Sequence, residues 1–267
     1  MKQRLISAFF GIILFAAVIL SRKEIINIAV VIVSVMAIYE LLCALGLKKF
    51  TTMLVLGMIF PVFVYINGFI NFIEPVNLIF AFAALLYVLK LLFHEKCSFS
   101  DSAMCFFATI LITFSFTCIS AVRCGENGLA NVILIFFGSW ITDSCAYFTG
   151  VFLGKHKLSP VISPKKTIEG AIGGVLGTAI ILFAYAYAVS YFTNIDLNYL
   201  SVIVLGIICG IVSQIGDLCA SAVKREYGIK DYGNLMPGHG GVLDRFDSIL
   251  LVAPVVYIYI SKFAVFI

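Results

Sequence analysis

The sequence predicts an all-α, polytopic integral membrane protein with about nine transmembrane helices. Three observations predict it. Of the 267 residues, 62% are hydrophobic and only 12% charged, against about 25% charged in soluble domains. The apolar residues fall into runs of about 20, the length that crosses a bilayer as a helix. Lysine and arginine gather in alternate loops between these runs, as the positive-inside bias requires. No stretch is long, polar and patterned enough to fold as a separate soluble domain, so residues 1–267 read as a single transmembrane domain.

The chain opens K-Q-R-L-I-S-A-F-F-G-I-I-L-F-A-A-V-I-L. A charged start before an apolar run suits a signal peptide, but only S-R-K-E follows, with no small-residue cleavage site. Residues 4–21 therefore read as a retained first helix. After a very short loop at Ser21–Glu24 come spans at 25–46, 52–71, 76–93 and 103–122. They carry few polar groups, and residues 1–125 read mainly as scaffold. The spans at 129–152, 168–192, 199–223 and 248–266, with their loops, hold most of the polar chemistry, so residues 129–266 form the motif-bearing half.

With the N-terminus in the cytoplasm, thirteen lysines and arginines fall on the cytoplasmic side. Four (Arg22, Lys23, Arg123 and Lys262) fall outside, and Lys90 lies within a span. This bias predicts the N-terminus inside and the C-terminus outside. It also places the loops around residues 155–167 and 224–247 in the cytoplasm. The net charge of +4 is modest, and no nucleic-acid partner is expected. Eight scattered cysteines form no C-x-x-C pair and read as small buried hydrophobes.

Three clusters interrupt the apolar pattern. In D-S-C-A-Y-F-T-G, Asp143 and Tyr147 share a helix face at i and i+4. An ionised aspartate in mid-span costs about 2.5–3.5 kcal/mol on insertion scales, so it needs a metal, a cation or a polar cavity. A packing hydrogen bond between spans is the competing reading. In I-S-P-K-K-T-I-E-G-A-I-G-G, Pro164 marks a loop and a helix starts near Thr167. Thr167 and Gly170 do not make a capping box. Lys165 and Lys166 then lie near a helix N-terminus, a setting for phosphate or an anionic headgroup; non-specific anchoring to lipid phosphates competes. Glu169 is expected to pair with a neighbouring lysine or to face the site. Gly170, Gly173, Gly174 and Gly177 form a small-residue face suited to close helix packing.

The third cluster begins at S-Q-I-G-D-L-C-A-S-A-V-K-R and runs to Asp247. Ser213, Asp217 and Ser221 recur every fourth residue on one face, with Lys224 and Arg225 continuing toward the cytoplasm. Asp217 lies roughly 10 Å along the helix axis from Lys224. Lys230, Asp231, His239, Gly240, Gly241, Asp244, Arg245 and Asp247 follow within a short glycine-rich stretch. Carboxylates, cations and glycines this close together suit phosphates and a divalent metal. Asp217 and Asp244 are the expected Mg²⁺ ligands, since magnesium takes one or two carboxylates and fills its sphere with water and phosphate. Capping of the last span competes for Asp247. A backbone-bonded loop residue competes for His239. His94, His156 and His239 lack zinc-ligand spacing. No GxGxxG or Walker loop is present.

These strings resemble the phosphatidate cytidylyltransferases, the CDP-diacylglycerol synthases. The matching elements are D-x-x-A-Y-x-x-G from Asp143, S-P-K-K-T-x-E-G from Ser163, and S-x-V-K-R from Ser221. K-D-x-G from Lys230 and P-x-H-G-G-V-x-D-R-F-D from Pro237 complete them. Met236 stands where that family usually has Leu, Ile or Phe. The resemblance covers residues 143–174 and 213–247; residues 1–125 match only as apolar spans.

It implies a Mg²⁺-dependent enzyme that converts CTP and phosphatidic acid to CDP-diacylglycerol and pyrophosphate among membrane lipids, with a homodimer expected. Asp217, Asp244, Asp247, Lys224, Arg225 and Asp143 would be catalytic. Lys165, Lys166, Ser221, Lys230, Asp231, His239, Gly240, Gly241 and Arg245 would bind substrate. A short chain without added domains suggests a bacterial plasma membrane. A CTP-dependent polyprenol kinase and an ion-coupled transporter are the alternatives; the K-D-x-G and H-G-G strings oppose the first, and the lack of inverted repeats opposes the second.

Overall fold

A computed structural model of the chain describes residues 11, 13–235 and 240–267. The fold is nearly all helical. Seven helices among the described residues are long and apolar enough to cross a membrane. They are α1 (Lys23–Ala44), α2 (Thr51–Ile70), α3 (Pro75–Leu92), α4 (Phe99–Cys124), α5 (Gly128–Leu153), α6 (Ile168–Thr193) and α7 (Tyr199–Glu226). A four-residue helix, α8 (Leu243–Phe246), and a shorter apolar helix, α9 (Ile249–Lys262), follow. Between α5 and α6 lie two short antiparallel strands, β1 (Lys157–Ser159) and β2 (Ser163–Thr167). The all-α expectation lacked this hairpin.

The expected count of nine spans is not reached among the described residues. The first span, 4–21, lies largely outside them, although residues 13–20 are helical. The last, expected at 248–266, stops at Lys262 after 14 residues. At 1.5 Å per residue it is about 21 Å long, short of the roughly 30 Å hydrocarbon core. It stops because the next residues are used as extended backbone. Leu197 bridges Phe266, Asn198 N donates to Val265 O, and Ile267 N donates to Asp196 O.

The helix ends follow local chemistry. Gly46, at φ +77°, closes α1 in the left-handed conformation that glycine adopts without a Cβ clash. Pro75 opens α3 at a position where its missing N–H costs nothing. Ser98 and Asp101 cap α4 reciprocally: Asp101 N donates to Ser98 Oγ (3.0 Å) and Ser98 N to Asp101 Oδ2 (2.8 Å). Thr167 caps α6 by accepting from Gly170 N at 3.1 Å. The helix therefore starts where the sequence predicts it, with a single cap rather than a box.

The chain divides into two compact units. The first comprises Met1–Thr117 and Tyr227–Arg245. In it α1 packs on α2, and α2 on α3. Ile38, Leu42, Leu47, Leu86 and Ile112 are fully buried there.

The second unit comprises Cys118–Glu226 and Phe246–Ile267. Here α5, α6, α7 and α9 pack together around Leu134, Ile135, Leu182, Leu205 and Val252. The small-residue face of α6 meets α5 closely. A Cβ on Gly170 would stand 2.7 Å from Ala146 O, and one on Gly177 would stand 2.6 Å from Cys145 Sγ. A Cβ on Gly173 would overlap the Thr149 side chain. Gly173→Leu is therefore expected to destabilise the protein by about 1–3 kcal/mol, the usual cost of overpacking. Gly68→Ala, where a Cβ meets nothing within 4 Å, should cause no loss. Thermal unfolding of both variants in detergent checks this. Of the cysteines, all free, Cys97, Cys105, Cys118 and Cys209 are buried as expected, whereas Cys124 and Cys219 are exposed.

Candidate active site

The second unit gathers the polar groups of α5, β2, α7 and the turn before α9. Neighbouring side chains on a strand point to opposite faces, so β2 separates its two lysines. Lys165 is exposed, while Lys166 is half-buried and pairs with Asp217 on α7 at 2.5 Å. These lysines thus sit on a strand just ahead of the Thr167 cap rather than in the first turn of α6. One turn further along α7, Ser221 Oγ donates to Asp217 Oδ1 at 3.3 Å. Ser213, one turn earlier, is buried and donates to Ser139 O at 3.4 Å.

Lys224 pairs with Asp247 at 3.6 Å, with side-chain exposures of only 12% and 13%. Asp247 lies in the turn between α8 and α9 and accepts from Ser248 N at 2.8 Å. Ser248 is buried, and its Oγ stands 3.5 Å from both Asp247 Oδ1 and Asp143 Oδ2. Asp143, half-buried on α5, lies within electrostatic reach of Asp217, Asp247 and Lys166. Three carboxylates from three separate stretches of sequence thus share one region with two lysines. Each lysine faces one carboxylate, Lys166 against Asp217 and Lys224 against Asp247, and an opposite charge that close favours the ionised form of its partner. Arg225, exposed on the last turn of α7, donates from Nε to Ile162 O at 3.3 Å and so ties that helix to the hairpin.

Glu169 corrects the sequence expectation. Among the described residues its charged partner is His156, not a lysine side chain: it accepts from Lys155 N (3.0 Å) and His156 N (3.2 Å), and meets His156 Nδ1 at 2.6 Å. It closes the turn between α5 and β1 rather than serving the carboxylate cluster. Tyr147, on the same helix as Asp143, is largely exposed and packs edge-on against Phe148.

The remaining motif residues belong to the first unit. Lys230, Asp231 and Arg245 are exposed. Asp244 accepts two backbone hydrogen bonds at one oxygen, from Tyr232 N (2.8 Å) and Gly241 N (3.0 Å). Gly240 has φ +83°, and Gly241 is buried. His239 lies outside the described residues. Asp244 lies within α8, and Asp247 stands just past its end. Sequence reasoning missed Glu40, a buried carboxylate on α1 that accepts from Val242 N and Leu243 N. An ionisable residue inside an apolar span was the signal that could have found it.

A helical frame of membrane-spanning length, with ionisable side chains collected inside it, defines an integral membrane protein with a built polar site. The chain belongs to the cytidylyltransferase family, whose family model matches residues 2–263, and it is accordingly a nucleotidyltransferase. Curated relatives agree. A phosphatidate cytidylyltransferase of Staphylococcus haemolyticus (strain JCSC1435) is 32% identical over 266 residues, covering 98% of this chain and 100% of the relative. One of Staphylococcus aureus (strain COL) is 34% identical over 270 residues with the same coverage. One of Staphylococcus epidermidis (strain ATCC 35984 / DSM 28319 / BCRC 17069 / CCUG 31568 / BM 3577 / RP62A) is 30% identical over 266 residues, again with the same coverage.

Proposed function

We propose that this protein transfers the cytidylyl group of CTP to phosphatidic acid, giving CDP-diacylglycerol and pyrophosphate. The observation that carries the reading is the Asp143, Asp217 and Asp247 cluster with Lys166 and Lys224, in a chain of the cytidylyltransferase family. The full-length relatives named for this reaction support it.

A phosphatidate oxygen attacks the α-phosphorus of CTP. A new P–O–P bond forms, and the bond to the β-phosphate breaks with pyrophosphate leaving. The nucleophile comes with the substrate, so no serine or histidine need be activated. The difficulty is that two polyanions must meet. Lys165, Lys166, Lys224, Arg225, Lys230 and Arg245 are proposed to contact phosphate, and Ser221, Asp231, His239, Gly240 and Gly241 to shape the substrate site. Lys166 and Lys224 hold positive charge inside the site before substrate arrives, each against an aspartate. Fixed charges of this kind stabilise charge developing on the transferred phosphoryl group.

The donor set fits magnesium. Carboxylate oxygens are the hard ligands it prefers, and it is held by one or two of them plus water and phosphate. Among the described residues no group of three or more His, Cys, Asp or Glu side chains could hold a metal ion by itself, so the assignment takes single carboxylates, with water and substrate oxygens as the ion's other ligands. Asp217 is assigned to Mg²⁺ from its place in the cluster, with Asp143 and Asp247 in support; Asp244 keeps its assignment from the motif. Bound there, the ion would neutralise phosphate charge and the leaving pyrophosphate. The charge bias supports a site facing the cytoplasm of a bacterial plasma membrane, with the N-terminus inside and the C-terminus outside. A homodimer is the expectation that the resemblance carries.

The test uses purified protein in detergent with phosphatidate, Mg²⁺ and CTP labelled separately in cytidine, α-phosphate and γ-phosphate. Cytidine and α-phosphate are expected in the lipid phase and γ-phosphate in released pyrophosphate. Transfer of γ-phosphate alone to an added polyprenol, or no transfer to any lipid, overturns the reading.

A further inference from the structure

We propose that Glu40, in the middle of the apolar first half of the chain, is a positioning residue for the loop that carries Asp244. Glu40 stands in the last turns of α1 and is 7% exposed. Its two oxygens accept from the backbone: Oε1 from Val242 N at 2.9 Å and Oε2 from Leu243 N at 2.8 Å. Those amides are 202 and 203 residues away in sequence and open helix α8. The first N–H groups of a helix have no partner within it, so an external acceptor must supply one. A buried carboxylate likewise needs donors. Here each satisfies the other.

The loop is shaped around this carboxylate. A Cβ added to Gly233 would overlap Glu40 Oε1, and one added to Gly241 would overlap Oε2. Only residues without a side chain let both stretches of backbone close on the carboxylate. Asp244 holds the same stretches of backbone through Tyr232 N and Gly241 N. Four backbone N–H groups between residues 232 and 243 are thus committed to two carboxylates, one of which the motif does not contain. With both oxygens engaged by amides, Glu40 is a support rather than a group that meets substrate. Its effect on the reaction passes through the placement of Asp244, Arg245 and the glycines before them.

The consequence for catalysis rests on the function proposed above, and the test separates the two. Full-length protein in detergent would be compared as wild type, Glu40→Gln and Gly233→Ala. Hydrogen exchange is followed in peptides covering residues 240–246, and kcat and KM are measured for cytidylyl transfer to phosphatidate. Glu40→Gln keeps the size of the side chain but turns an amide N–H₂ toward a backbone donor. Exchange at residues 241–244 is expected to rise about 10-fold or more as local opening becomes easier. The kcat should fall about 10- to 100-fold with KM for phosphatidate changed by less than about threefold, the pattern of lost transition-state placement. Gly233→Ala, which displaces the carboxylate from the loop side and leaves α1 intact, should reproduce the exchange change. Unchanged exchange at 240–246 in both variants overturns the proposal, and so does a Glu40→Gln kcat within about twofold of an active wild type. If wild type transfers no cytidylyl group while both variants still expose the loop, the reaction assignment falls and the positioning role of Glu40 stands.

Discussion

Asp217→Asn is expected to lower cytidylyl transfer by at least about 100-fold, or about 2.7 kcal/mol in activation free energy. The side chain keeps its size and loses its charge. That charge lies 2.5 Å from Lys166, receives a hydrogen bond from Ser221, and shares its surroundings with Asp143. Removing one preorganised charge or donor from such a site typically costs 10²- to 10³-fold in kcat. The substitution also removes the carboxylate paired with the half-buried Lys166 ammonium, leaving Asp143 as the anion within its electrostatic reach, which destabilises the fold. The double variant Asp217→Asn/Lys166→Met separates the two effects. It should unfold at a temperature closer to wild type than the single variant does, and still be inactive. An Asp217→Asn protein with wild-type kcat would remove Asp217 from the mechanism.

Stripping divalent metal is expected to reduce transfer to below about 1% of the starting rate, with Mg²⁺ restoring it. The cluster brings three carboxylates together with two lysines, while CTP and phosphatidate both arrive as polyanions. Without further positive charge, Asp143, Asp217 and Asp247 would repel the phosphates they are meant to receive. Conversion of labelled CTP should stop on addition of EDTA and resume on addition of excess Mg²⁺. Asp247→Asn should raise the Mg²⁺ needed for half-maximal rate by about 10-fold, the usual size of a supporting-ligand effect. A chelator-treated enzyme running at full rate in metal-free buffer would end the magnesium assignment.

Span positions were legible because a run of about 20 apolar residues has one physical reading near a bilayer. Helices α1 to α7 start and stop within a few residues of the runs that announce them. Other features depend on partners distant in sequence. The final span was read too long because nothing in S-K-F-A-V-F-I tells that its backbone pairs with residues 196–198. The hairpin reads as loop in the sequence because Pro164 and two lysines resemble punctuation more than strand.

Within the cluster, the polar residues stand out in the sequence but their pairings do not. Lys224, seven residues from Asp217 on the same helix, was the sequence-local cation, yet Lys166 makes that contact and Lys224 turns to Asp247. Glu40 was overlooked because its donors are main-chain amides, which leave no trace in residue type. The glycines at 233 and 241 also make room for that carboxylate, a requirement that residue type alone does not announce.

The backbone bridge between residues 196–198 and 265–267 makes residues 265–267 a structural part of the fold. Lengthening the turn between α6 and α7 and altering the C-terminal tail are therefore not independent changes: each shifts a register that the other must match. An affinity tag fused directly behind Ile267 would pull on the segment that leads into α7, the helix bearing Asp217 and Lys224. A flexible spacer before the tag would leave that coupling undisturbed.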